Sequence, residues 1–154
     1  MHRIILILML FPAACYSQNF IDKSKEAVMI ELQNQIQPED NLTKKLSNKD
    51  SLILLTINAG TSRYTDFYYG FDRAGKCKLE KIKSGCESCF KDLLDKVLEQ
   101  RIFEWKQING NQYISKFSDH LLLEIQNEKE KKDFSITILR TDWTRELYDL
   151  LTGN

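Results

Sequence analysis

The sequence predicts an α+β domain in which an antiparallel sheet of about four to five strands packs against a main helix, with further N-terminal and C-terminal helices. Three observations support this fold class. One segment carries a single apolar stripe at helical spacing, several short segments are rich in aromatic and β-branched residues, and the predicted elements follow the order α, β, β, β, α, β, β, α. With 154 residues, the chain can bury the core of one domain.

The first 17 residues predict a secretory signal peptide. Arg3 provides a basic start, and residues 4–11 form an apolar run that is too short for a transmembrane helix. Cleavage after Ser17 would leave Gln18 at the new terminus, whereas lipidation of Cys15 is the alternative. Both readings predict an exported protein, periplasmic or secreted in one case and lipid-anchored in the other, with no membrane span in the mature chain.

Residues 18–50 predict an amphipathic helix followed by a linker. Apolar side chains recur at helical spacing from residue 21 to residue 36, and Pro38 ends the helix. Residues 38–50 are polar and predict a linker or a short helical turn.

Residues 51–154 predict the single α+β domain. Residues 51–57 form a compact apolar run typical of a buried strand, and residues 64–71 are rich in aromatic side chains. Residues 76–82 alternate in polarity and form a hairpin with the preceding strand. The turn between them contains Gly75, which suits a positive φ.

The main helix comes next. Its apolar stripe consists of Phe90, Leu93, Leu94, Val97, Leu98 and Ile102. Ser84 and Glu87 are spaced as a capping box at its start.

After this helix, residues 112–125 predict one extended segment and residues 134–139 a strand. Phe134, Ile136 and Ile138 would form one apolar face of that strand, which predicts an antiparallel hairpin with the segment before it. A short helix closes the chain, with Trp143, Leu147, Leu150 and Leu151 on one side and Gly153 as its terminator.

Charge and composition argue against several classes of function for this chain. The chain has 22 basic and 22 acidic residues, whereas a nucleic-acid-binding protein would normally carry a basic face. It contains no recognisable nucleophile motif and no glycine-rich phosphate loop. His120 is the only histidine outside the predicted signal peptide, and its surroundings indicate a surface turn. We therefore predict no enzyme activity, no catalytic residue, no cofactor and no metal.

Trp105-Lys106 followed by Asn109-Gly110, after a hairpin and a helix, resembles the carboxy-terminal domain of the TonB family over about residues 64–127. In that family a Trp-Lys-Pro segment and an Asn-Gly turn lead into a final strand, and Gln107 stands here in the place of the proline. Trp105 is expected to fold its ring over the apolar end of the helix. Asn109 and Gly110 are expected to make a tight reversal with positive φ at both positions.

The resemblance implies an envelope protein that binds a protein or peptide by strand pairing. The expected partner edge carries Tyr113, Ser115 and Phe117. The chain lacks a proline-rich spacer, so the expected role is a binding module with a TonB-like core and not a full energy transducer. Because the added strand at residues 134–139 would cover that edge, we predict that the intact protein does not bind receptor-type peptides along residues 112–125.

Cys77, Cys86 and Cys89 would lie in an oxidising compartment, where thiols tend to pair. The odd number leaves one over. The sequence favours a disulfide between Cys86 and either Cys77 or Cys89 over redox catalysis, and it favours a plain structural role of these cysteines over both. The spacing of Cys86 and Cys89 at a helix start also fits a thiol-disulfide oxidoreductase, which is the alternative function. A secreted immunity or inhibitor protein is a third hypothesis.

Overall fold

The computed structural model describes residues 19–36, 43–58, 64–128 and 133–153, so the predicted signal peptide lies outside the described residues. Three helices are present in these ranges: α1 (Lys25–Gln35), α2 (Glu87–Leu98) and α3 (Arg145–Thr152). The strands are β1 (Thr43–Lys49), β2 (Leu52–Asn58), β3 (Tyr64–Phe71), β4 (Cys77–Ser84), β5 (Lys106–Asn109), β6 (Gln112–Ile114), β7 (Leu121–Glu128) and β8 (Asp133–Arg140).

The predicted sheet of four to five strands packed by one main helix is wrong. All eight strands form one antiparallel sheet in the order β1-β2-β3-β4-β8-β7-β6-β5. One extra strand is β1, which lies in the segment predicted as a linker or helical turn. Another arises because the single extended segment predicted for residues 112–125 is interrupted by a 3-10 turn at Phe117–Asp119 and forms both β6 and β7.

One face of this sheet is covered by two helices. Val28 and Leu32 of α1 belong to the same apolar core as Phe90, Leu93 and Val97 of α2. On the strands, paired residues point to the same face, and one row of this covered face runs across six strands. Its members are Ile53, Tyr69, Glu80, Ile138, Leu123 and Tyr113.

The opposite face, called the open face below, has a mixed composition. Its middle row consists of Ser47, Leu54, Tyr68, Lys81, Thr137, Glu124 and Gln112. Alternation between an apolar and a mixed face is the usual pattern of an antiparallel sheet that buries one side.

The predicted hairpin of β7 and β8 is confirmed, since Leu123 pairs with Ile138 and Ile125 with Ile136. The same strand also pairs with β4 on its other side, which places β8 in the middle of the sheet. The predicted turn at Gly75 is confirmed too, with φ of 73° at this residue. The carboxylate of Asp72 accepts hydrogen bonds from the amides of Ala74 and Lys76, which holds this turn closed.

The helix ends differ from the sequence prediction. The N-cap of α2 is Cys86, whose sulfur accepts a hydrogen bond from the Cys89 amide, so the predicted capping box of Ser84 and Glu87 is wrong. The Ser84 hydroxyl instead accepts from the Cys86 amide, one residue before the helix begins. Because α2 ends at Leu98, Ile102 leaves the apolar stripe and is 65% exposed.

The predicted apolar side of α3 is also wrong. Leu147 and Leu150 are exposed, and the buried side chain of this helix is Tyr148. Its ring packs edge-on against Phe117, with ring centroids 5.4 Å apart. Among the helices of the described ranges, none is long and apolar enough to cross a membrane.

The segment before α1 is held by a buried carboxyl group. Glu80 lies on the covered face of β4 and accepts a hydrogen bond from the Phe20 amide. The Phe20 ring packs edge-on against Tyr69 at 5.1 Å between centroids. Burial raises the pKa of Glu80 from 4.5 to about 7, against the opposing effects of the Phe20 and Ile21 amides and of Lys23.

Candidate partner-binding edge

The edge that the sequence predicted for a partner is closed. Tyr113 pairs with Leu123 on one side and with Gln107 on the other. Ser115 is buried, and its amide donates to the carbonyl of Leu121 at 3.0 Å. Phe117 lies in the 3-10 turn and packs against α3. Tyr113 thus lies inside the sheet, and Ser115 and Phe117 lie beyond the end of β6, so these positions do not form an open sheet edge.

Trp105 lies at the end of α2. Its indole nitrogen donates to the carbonyl of Val97 at 3.1 Å, and its ring centroid is 5.5 Å from that of Phe103. The last carbonyls of a helix have no hydrogen-bond partner within the helix. The indole N–H of the half-buried Trp105 thus donates to one of these carbonyls. This contact gives Trp105 a structural role.

The reversal after Trp105 differs from the prediction. Asn109 pairs with Gln112, so Gly110 and Asn111 are the two central residues. Neither Gly110 nor Asn109 has a positive φ, which contradicts the expected conformation. The Asn109 side chain explains the difference, because its oxygen accepts from the Asn111 amide at 2.9 Å and closes the turn without left-handed residues.

The three cysteines of the described residues form one disulfide and leave one buried thiol. Cys86 and Cys89 form a disulfide at the start of α2. Cys77 is free and fully buried, and burial raises the pKa of its thiol to about 12. A thiol in this protonated form is a poor nucleophile.

The two ends of the sheet are β5 and β1. The four-residue β5 has α3 packed against it. The seven-residue β1 pairs with β2 on its inner side, and among the described strands none pairs with its outer side. Because β1 is longer than β5 and no described strand pairs with its outer side, it offers a partner strand more backbone than β5 does.

The register of β1 identifies its outward groups. Lys49 pairs with Leu52 across the two-residue loop of Asp50 and Ser51. A loop of this length closes on a hydrogen-bonded pair, and hydrogen-bonded and non-hydrogen-bonded pairs then alternate along the two strands. The N–H and C=O groups of Lys44, Leu46 and Asn48 consequently point away from β2.

The open face of β1 and β2 forms a shallow groove of about 230 Å³. Lys45, Ser47 and Lys49 line it from β1, and Leu52, Leu54 and Thr56 line it from β2. The short Ser47 side chain lies opposite Leu54, between the two lysines. Neither Lys45 nor Lys49 forms an ion pair with any residue that the structure describes.

Sequence reasoning missed this strand because Thr43–Lys49 contains one apolar residue, Leu46. The available signal was the short polar loop at Asp50-Ser51 directly before an apolar strand, which is typical of a hairpin. No protein-family model, no curated protein and no solved structure matches this chain.

Proposed function

We propose that this chain is an exported, non-enzymatic protein-binding module of the cell envelope that binds an extended segment of a partner protein along β1. The observation that carries the proposal is the free outer side of β1 among the described strands. A strand with unpaired N–H and C=O groups is a template for another strand, and peptide recognition by strand addition uses such an edge.

Hydrogen bonds to the backbone of β1 would supply much of the binding free energy. By the register with β2, Leu46 and Asn48 present two outward sets of donor and acceptor groups. Leu46 packs against the core on the covered face, which fixes the position of β1 before a partner arrives. A preorganised edge reduces the entropy lost on binding.

The proposed location has separate support. The pattern of residues 1–17 favours export, with lipid anchoring through Cys15 as the alternative. The Cys86–Cys89 disulfide agrees with an oxidising compartment. The resemblance to the TonB family suggested binding by strand pairing, and the proposal keeps this mode but moves it to the opposite end of the sheet.

A proline at position 48 tests the proposal. Asn48 is exposed and its amide points outward, so Asn48→Pro removes a donor from the outer side without taking one from the β1–β2 ladder. Peptides selected from a displayed random library on the wild type should bind Asn48→Pro about tenfold more weakly, the equivalent of one lost hydrogen bond.

The matched control is Asn48→Ala, which changes the same side chain but keeps the amide and should bind like the wild type. Equal affinity of the proline variant for peptides that compete with one another would contradict binding along β1. Circular dichroism of both variants checks that the fold is retained.

A thiol-disulfide oxidoreductase is the second candidate. It is favoured by the position of the Cys86–Cys89 pair, which lies half-exposed at the start of α2. Turnover in an insulin-reduction assay that Cys86→Ser abolishes would place this candidate first.

A further inference from the structure

The charges on β1 restrict which segment can lie beside it. The strand carries Lys44, Lys45 and Lys49 and has no acidic residue, although the whole chain has equal numbers of both signs. Lys45 and Lys49 are exposed on the open face. Lys44 points to the covered face, where its ammonium group donates to the carbonyl of Gln35 at 3.3 Å. Two cations are therefore available to a neighbouring strand on the open face.

The groove between these lysines adds an apolar contact. Ser47 is the smallest side chain on this face of β1, and the half-buried Leu54 lies directly across from it. In an added strand, the residue opposite Ser47 points to the open face, as do the residues two positions before and after it. An apolar side chain opposite Ser47 would lie over Leu54, while its two flanking neighbours would face Lys45 and Lys49.

We propose that β1 selects an extended segment of another protein with the pattern acidic-x-apolar-x-acidic. This inference rests on the proposed function and names the class of partner for the same edge. Opposite charges directly across a strand pair are favourable, and like charges are unfavourable. The backbone groups of β1 bind the segment, and Lys45 and Lys49 determine which sequences bind tightly.

A second copy of this chain does not fit the pattern. Antiparallel pairing of two copies centred on Ser47 would place Lys45 of one copy opposite Lys49 of the other. Lysines on an edge strand are a common protection against pairing between copies. The same two side chains that keep copies apart thus favour an acidic partner.

Three synthetic peptides test the proposal with the full chain. Each has valine at the centre of seven residues, and the positions two residues on either side carry glutamate, glutamine or lysine, with threonine elsewhere. The glutamate peptide should bind about tenfold more tightly than the glutamine peptide, and the lysine peptide should bind more weakly still. The difference in affinity between the glutamate and glutamine peptides should become smaller at high salt. Amide chemical shifts should change at Lys44, Leu46 and Asn48.

Charge reversal supplies the controls. The double variant Lys45→Glu and Lys49→Glu should prefer the lysine peptide, whereas Lys91→Glu, an exposed change on α2, should leave the wild-type preference unchanged. Equal binding of all three peptides at β1 would overturn the acidic pattern and leave strand addition standing. An absence of shifts along β1 with every peptide would overturn both proposals.

Discussion

Replacing Trp105 by alanine is expected to lower the free energy of unfolding by about 3 kcal/mol, at the low end of the range for truncating a large aromatic side chain, because the ring is half-buried. The ring packs on Phe103, and the indole N–H occupies the carbonyl of Val97 near the end of α2. The alanine variant loses both contacts at once. Urea denaturation followed by circular dichroism measures the change.

Trp105→Phe separates the two contributions. It keeps a ring against Phe103 but removes the hydrogen bond to Val97, so the expected loss is about 1 kcal/mol. If Trp105→Ala unfolds at the wild-type urea concentration, the ring does not stabilise the fold, and Trp105 becomes a candidate for ligand contact.

The wild-type protein is expected to lose about 3 kcal/mol of its free energy of unfolding through Glu80 as the pH rises from 4.5 to about 7. Burial raises the pKa of this carboxyl group in the folded protein, so the folded state holds the proton more tightly than the unfolded state does. The stabilising contribution is fully present below pH 4.5 and is lost as the pH passes through the folded pKa.

Glu80→Gln is the matched variant for this pH effect. Glutamine keeps an acceptor for the Phe20 amide and cannot ionise. The difference in free energy of unfolding between variant and wild type should therefore grow in favour of glutamine from pH 4.5 to pH 8 in urea denaturation. A difference that stays constant over this range would show that Glu80 does not titrate abnormally.

Much of the fold follows from local patterns. The alternation of Phe134, Ile136 and Ile138 predicts the strand that the structure contains, and the spacing of Phe90, Leu93 and Val97 predicts the buried face of α2. The order of the strands does not follow from such patterns. The pairing of β4 with β8 joins segments about fifty residues apart, and nothing in either segment specifies the other.

The order of the strands also determines the effect of a C-terminal truncation. Because β8 lies between β4 and β7, deleting residues 132–154 would remove a strand from the middle of the sheet. We expect the truncated chain to unfold, because β4 and β7 would each lose one of their two neighbouring strands.

The candidate edge was beyond sequence reasoning for the same reason. An edge strand is defined by the absence of a neighbour, which is a property of the whole sheet. Lys45 and Lys49 resemble the solvated lysines of any polar segment when they are seen alone. In a strand every second side chain points to the same face. The sequence therefore shows that Lys45 and Lys49 share a face only if Thr43–Lys49 is recognised as a strand.

Residue-resolved amide hydrogen exchange of the free protein tests the central claim, the open outer side of β1. The amides of Lys45 and Ser47 face β2 and should exchange slowly, whereas those of Leu46 and Asn48 face outward and should exchange fast. This alternation along one strand is the predicted result. Slow exchange at all four amides would show that another segment already covers β1, and would contradict its use as a partner-binding edge.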